Sequence, residues 1–255
     1  MKRIGILTLL LLLTGCSNLT PIPQSSSGDI SPQEAWASTL KDYVNDRGQV
    51  DFNSLDRNPD KLNAYVHYLS IISPESHPAK FPAKEDRLAY YINSYNALAM
   101  YGIIDAGIPE SLTGLQKVQF FYFRKFVLGG REVSLYDYEN KVIRPVGDER
   151  VHFALNCMSV GCPVLPRQPF YPQTLDKVLE EETRKFFSEE RNLRVDDQKQ
   201  QVWVSEILDF FTEDFAPSAQ ALIPYLNRYS SRSIPEHYRV RFIPYDWTVN
   251  NSTEK

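Results

Sequence analysis

The chain is poor in cysteine, methionine and tryptophan, with three of each in 255 residues, and it has only 11 glycines. Three cysteines cannot staple a small scaffold, so the fold must rest on a hydrophobic core. With 42% apolar residues, a chain of this length can build one. Runs of like charge are missing as well. Lys and Arg are dispersed, the formal charge is −4, and no basic stretch would release counterions from a phosphate backbone, so nucleic-acid partners are disfavoured. No segment reaches the roughly 20 apolar residues that cross a bilayer. Repeats are absent and no cofactor is expected. The excess lies in 17 prolines, 15 tyrosines and 14 phenylalanines, which describe stiff connections and large packing units.

The N-terminus reads as an address. Lys2 and Arg3 precede an apolar run over residues 4–13 and then small residues before Cys16, the pattern of a signal peptide spanning residues 1–15. Leu13, Thr14, Gly15 and Cys16 resemble the lipobox of bacterial lipoproteins. That resemblance implies a diacylglycerol on the Cys16 thiol and a new N-terminus at Cys16; the alternative is an ordinary secretory signal with an incidental cysteine. Two or more acyl chains, at ~0.8 kcal/mol per buried methylene, anchor a protein stably without spanning. Ser17, rather than Asp, after the lipidated residue implies an outer-membrane location facing the periplasm. Loss of Lys2 and Arg3 leaves the mature body more acidic, so it should not cling to anionic headgroups. Residues 16–30 read as the lipidated Cys and a flexible tether with a reach of roughly 20 Å, residues 31–250 as one globular domain, and residues 251–255 as a tail.

Within the body, Ser31, Pro32 and Glu34 form a capping-box start for a helix over 32–45. Further helices are expected at 59–72, 84–105, 136–144, 172–188, 205–214 and 217–229. The helix at 84–105 is apolar nearly all round and so must be buried. A short extended stretch is expected at 50–52. Residues 117–135 alternate and carry Gly129-Gly130, a hairpin signature, and a second hairpin pairs Leu193–Val195 with Val202–Val204 before a last strand at 239–243. Helices and short strands mix without strict alternation, which argues α+β: a mainly helical single domain with short antiparallel hairpins.

Polar groups inside this pattern demand explanation. Cys157 and Cys162 are left over once Cys16 is assigned, and in an oxidising compartment such a pair is most simply a disulfide. Alternatively Cys157 is a nucleophile with His152 as its base, which requires the chain to change course between Ala154 and Cys157. A third reading makes His152, Cys157 and Cys162 metal ligands, although the spacing matches no common zinc pattern and a fourth ligand is missing. Asn93 and Asn96 sit three apart on the buried helix, where an unpaired amide costs roughly 1–3 kcal/mol. They either clamp a neighbouring backbone or orient His152. Asn156 is a possible partner of His152. Asp246 is a candidate orienter of the imidazole or the start of a turn, in a cluster with Tyr245, Trp247 and Asn250.

Three segments together, YYINSYNALAMYGII (90–104), RVHFALNCMSVGCPVL (150–165) and YDWTVN (245–250), resemble the uncharacterised family known as domain of unknown function 547, and VSEILDFFTEDF (204–215) fits the same pattern. The resemblance implies a shared fold from about residue 50 to 250 and no established activity. Intracellular members carry equivalents of Cys157 and Cys162, which weighs against a purely disulfide role. Members often have His within LYDYENKVIR, where this chain has Asn140, so a mechanism needing a second imidazole there is in doubt. Two functions follow. The preferred one is an envelope module binding an unknown envelope ligand or protein in a cleft lined by Asn93, Tyr95, Asn96, His152 and Trp247. The rival is a thiol-dependent hydrolase or acyltransferase using Cys157 and His152, with Asp246 or Asn93 as orienter. Both require the imidazole, the sulfur and the carboxamides to converge on one cavity.

Overall fold

The computed structural model describes residues 18–24 and 30–252. The signal segment, Cys16 and the last three residues lie outside this set. Helix α1 (Pro32–Tyr43) starts as its sequence demands: the Ser31 hydroxyl accepts from the Glu34 N–H while Glu34 reaches back to the Ser31 N–H. Of residues 50–52, expected as a short extended stretch, Val50 forms single strand-like bridges to Val44 and Asn251, and Asp51 then caps the Ser54 N–H at 2.9 Å, so that Phe52 already opens a short helix, α2 (Phe52–Arg57). Helix α3 (Asp60–Ile71) packs on α1, and both lie against the 22-residue helix α4 (Lys84–Asp105). Fifteen residues of α4 are buried, as its all-round apolar pattern requires.

The segment expected as alternating strand from 117 to 135 is helical in its first half. Helix α5 (Gly114–Val118) continues as a wide turn over Gln119–Phe123, and only β1 (Phe126–Leu128) and β2 (Arg131–Val133) form the hairpin. Leu115, Val118 and Tyr122 recur at helical spacing, and it is this period, not the aromatic content, that decides. Gly129 has φ +55°, and a Cβ there would meet the Ser73 side chain at 2.2 Å, so the hairpin's first glycine is obligatory. Helix α6 (Leu135–Tyr138) runs on through Glu139–Val146 in wider and tighter turns.

The C-terminal half has its own core. Helix α7 (Leu175–Ser188) has an apolar stripe on one face, and its Phe186 and Phe187 share a core with a three-stranded sheet of β3 (Leu193–Asp196), β4 (Gln201–Ser205) and β5 (Arg239–Ile243). The β3–β4 hairpin is antiparallel as expected, whereas β5 joins β4 in parallel, from Gln201 opposite Arg239 to Ser205 opposite Ile243. Between β4 and β5 come α8 (Ile207–Phe210), α9 (Thr212–Phe215) and α10 (Ile223–Tyr229). The architecture is α+β. The two cores meet at residues 149–165, with Ala154, Leu155 and Met158 in the first and Phe153 in the second.

Part of the expected tether is not free. The Lys125 N–H donates to the Asn18 carbonyl (2.9 Å), the Thr20 N–H donates to the Lys125 carbonyl (2.8 Å), and Tyr101 and His67 hold the carbonyls of Pro21 and Pro23. Residues 18–24 are thereby laid along the domain. Among the described residues no helix is long and apolar enough to cross a membrane.

Candidate active site

The segment VHFALNC is not the strand its hydrophobicity invites. Asp148 caps the Arg150 N–H, and residues 149–153 wind into a 3-10 turn that buries His152. The chain then changes course, and two asparagines make it do so. The Asn96 Oδ1 accepts the Asn156 N–H (2.7 Å) while its Nδ2 donates to the Ala154 carbonyl (3.0 Å). Asn156 accepts the Met158 N–H (2.8 Å) and donates to the Pro163 carbonyl (2.8 Å), closing the loop 156–163. Met158, fully buried, is held at φ +69°, a left-handed conformation that a non-glycine residue adopts only under tertiary constraint. The strained residue directly follows Cys157.

Residues 245–251 run beside this loop and stitch it down, with Gly161 N–H to the Asp246 carbonyl, Val160 N–H to the Thr248 carbonyl and Asn250 N–H to the Met158 carbonyl, each at 2.8 Å. Gly161 matters for proximity: a Cβ there would meet the Tyr245 ring and the Asp246 N at 2.9 Å. With Gly161 in place, Tyr245 leans over both sulfurs.

The expected disulfide is not formed. Cys157 and Cys162 are both free and buried, with their Sγ atoms 3.0 Å apart, against the ~2.05 Å of a bond. The thiols are hydrogen-bonded to each other and share further partners. The Cys157 N–H donates to the Cys162 Sγ (3.0 Å), the Tyr245 hydroxyl lies 3.3 Å from Cys157 Sγ and 3.0 Å from Cys162 Sγ, and Ser159 Oγ lies 3.5 Å from Cys157 Sγ. The hydrogen bond from the Cys162 thiol, joined by those from Ser159 and Tyr245, outweighs burial and holds Cys157 below the ordinary thiol range. Burial and the neighbouring Cys157 charge push Cys162 up. Of the two coupled thiols, Cys157 is the one eased toward ionisation and Cys162 the one held toward its protonated form.

His152 faces the same hollow. Its ring stacks on Phe211 with centroids 4.2 Å apart, and its Nε2 lies 2.7 Å from the Asp214 Oδ2. Arg144 grips that carboxylate from the other side, Nε to Oδ2 at 2.6 Å and Nη2 to Oδ1 at 2.8 Å. Burial raises the Asp214 carboxyl, but the bonds from His152 and Arg144 prevail and hold it far below the usual range. On the ring's other side the Glu139 Oε1 lies 3.9 Å from Nδ1, while the Tyr95 hydroxyl donates to Oε2 at 3.2 Å. Burial raises the Glu139 carboxyl, against the pull of His152, and the Cys157 charge raises it further. Glu139 thus stands within electrostatic reach of both the imidazole and the thiol.

Tyr95, Glu139, Arg144, His152, Cys157 and Cys162 line one cavity of about 400 Å³ at the seam between the two cores, walled by Phe210, Phe211, Tyr245 and Trp247, with Asp214 bonded to His152 and Arg144 from outside the lining. Lys117 sits at its rim, its Nζ 3.6 Å from the centre of a Trp247 ring.

Of the sequence candidates, Cys157, Cys162, His152, Tyr95 and Trp247 all line this cavity. The carboxamides do not. Asn93 accepts from the Phe170 N–H and the Trp36 indole and donates to the Phe170 carbonyl; with Asn96 and Asn156 it is spent on backbone and core. Asp246 is not the imidazole's orienter, because its Oδ1 accepts the Thr248 N–H and starts a turn. Among the described residues no group of three or more His, Cys, Asp or Glu is arranged to hold a metal ion, and His152 spends its Nε2 on Asp214. Sequence reasoning missed Asp214, Glu139 and Arg144, and it named Tyr245 without a role. Asp214 lies in VSEILDFFTEDF, already singled out, but nothing there says that its carboxylate reaches residue 152.

Residues 78–187 match the model of a family described as "Protein of unknown function, DUF547". The matched stretch covers less than half of the chain. It holds Tyr95, Glu139, Arg144, His152, Cys157 and Cys162, whereas Asp214, Tyr245 and Trp247 come from chain beyond the matched residues. No curated protein and no solved structure matches the chain.

Proposed function

We propose that this chain is a bacterial lipoprotein, tethered through Cys16 to the outer membrane and facing the periplasm, whose cavity is a thiol-dependent acyl-transfer site. The observation that carries the catalytic part is the convergence of a charge-stabilised thiol and an Asp-backed imidazole on one hollow. No direct hydrogen bond joins His152 to the Cys157 sulfur among the described residues; the sulfur's donors are Cys162, Ser159 and Tyr245. Cys157 therefore does not depend on the imidazole for ionisation, which leaves His152 and Glu139 to handle protons at the leaving group and at water.

In this reading the Cys157 thiolate attacks an acyl carbonyl carbon. A thioester bond forms as the bond to the leaving group breaks, and the leaving group takes a proton from the Glu139–His152 side. Water, losing a proton to the same side, then attacks the thioester, releases the acid and restores the thiol. A hydrolase and a transferase differ only in what attacks second. The binding reading keeps one supporting observation, the aromatic wall with Lys117 at its rim, which suits a ligand with both an apolar and an anionic part.

Intact-mass measurement of the protein mixed with an activated acyl ester separates the two readings. Acyl transfer predicts a transient adduct that maps to Cys157, decays with time and is absent in Cys157→Ser. An accessible thiol that alkylates yet never forms or turns over an acyl adduct would leave only a binding cavity.

A further inference from the structure

The turn of chain between Ser111 and Phe126 leaves an unpartnered apolar stripe on the surface. Leu115 is 70% exposed, Val118 39%, Tyr122 43% and Phe123 53%, and Tyr136, stacked on Tyr122 with ring centres 4.3 Å apart, is 40% exposed. The first three fall at i, i+3 and i+7, so they share one face of the helical turn, while Phe120 plugs the core behind them. Large apolar side chains grouped in this way mark a docking surface rather than the scattered exposure of an ordinary monomer.

Where the anchor leaves the domain indicates what covers that surface. Asn18 is bonded to Lys125, only two residues beyond Phe123. Cys16 is two residues from Asn18, a reach of at most ~7 Å. With ~5 Å between paired chains and ~7 Å from Lys125 back to Phe123, the Cys16 backbone can lie no more than ~20 Å from Phe123. An acyl group held that close brings the headgroup layer within reach of the stripe. Among the neighbouring cations, Arg124 pairs with Asp105, Lys125 and Lys141 share Asp137, and Lys117 lies over the Trp247 ring. Apolar and aromatic insertion, not charge, is then the driving term.

We propose that Leu115, Val118, Tyr122, Phe123 and Tyr136 seat the domain on the bilayer leaflet that holds the Cys16 acyl chains, an inference that rests on the lipid-anchor reading above. Tyr122, Tyr136 and Lys117 also line the cavity. Docking consequently sets the cavity mouth at the headgroup layer, where an amphiphile can enter without crossing water.

Hydrogen exchange of the full chain, purified from an envelope fraction and reconstituted in vesicles of phosphatidylethanolamine and phosphatidylglycerol, tests this. Amides of 114–123 should exchange at least about tenfold more slowly with vesicles than without. The double variant Leu115→Asp, Phe123→Asp should lose that protection while the β3–β4 amides keep theirs, which shows that it folds. A diacylated Cys16 with no vesicle-dependent protection of 114–123 would overturn the docking and spare the anchor. Protection of the same amides without vesicles, rising with protein concentration, would assign the stripe to a second copy and overturn it too. An unmodified Cys16 on the purified chain would remove both readings.

Discussion

Two sets of polar side chains, one buried and one partly exposed, occupy the middle of this protein, and they are used in opposite ways. Asn93, Asn96 and Asn156 make six hydrogen bonds to backbone and a seventh to the Trp36 indole, so every one of their amide groups is spent. Cys157, Cys162, Glu139 and Asp214 are partnered mainly by one another's neighbours and by Tyr95, Tyr245, Arg144 and His152, in ways that displace their proton affinities. The first set is a clamp, each amide oxygen and each amide nitrogen being engaged with backbone or core. The second holds charge and protons poised at a cavity wall. A buried polar group is thus a functional candidate when its environment leaves its protonation undecided, and a structural one when its bonds are complete.

The sharpest break of this contrast is Asn96→Ala. It strands the Asn156 N–H and the Ala154 carbonyl, and the unfolding midpoint should fall by an amount equivalent to about 2–5 kcal/mol. Cys157→Ser should move the same midpoint by much less, so equal losses in denaturant titrations would dissolve the distinction. Next in size is Asp214→Asn, which leaves His152 without its carboxylate and Arg144 with the Glu213 carboxylate and the Asn140 carboxamide. Turnover of an acyl probe should fall more than about tenfold with a stability loss of ~1–2 kcal/mol, whereas a variant of wild-type rate would remove the imidazole from the chemistry.

Glu139→Gln should act in the other direction. Because burial raises the folded carboxyl above its unfolded value, the native state holds the proton more tightly. Stability is then lost as pH climbs from the ordinary carboxylate range through the raised folded value. The Gln variant lacks that loss, so it should be the more stable protein at pH 8, by up to about 2 kcal/mol. By pH 4 the two melting temperatures should converge; a constant gap across pH would show that Glu139 is not held in a proton-retaining site. The smallest effect belongs to Asp246→Asn. The amide oxygen still accepts the Thr248 N–H, and both stability, within about 0.5 kcal/mol, and probe turnover should match wild type.

Much of the frame was legible in residues alone. The Ser31 capping box, the all-round apolar α4, the Gly129-Gly130 turn and the β3–β4 hairpin follow from local chemistry, and each is present. Residues 117–123 are helical against expectation because aromatic richness suits a strand as readily as a helix, and only spacing separates them. The parallel partnership of β4 with β5 joins segments over thirty residues apart, and no turn signal announces it. The site divides along the same line. His152 and Cys157 could be named because imidazoles and thiols are rare and chemically distinctive in this chain. Asp214 could not, since one carboxylate among 32 acidic residues becomes special only through the fold that carries it to Arg144 and His152. The disulfide reading parts from the structure for a related reason: spacing permits the bond, but the two thiols are free, and the hydroxyl of Tyr245, 83 residues from Cys162, hydrogen-bonds to both sulfurs.

The central claim is that Cys157 carries a stabilised thiolate on the cavity wall. The rate of alkylation of Cys157 in the native chain by iodoacetamide, followed against pH by peptide mass analysis, tests it most directly. The account predicts an inflexion clearly below the ~8.5 of an ordinary thiol, moving upward in Tyr245→Phe and Cys162→Ser as the donors are removed. An inflexion at or above the ordinary value, or a native Cys157–Cys162 bridge that leaves no thiol to alkylate, would contradict it.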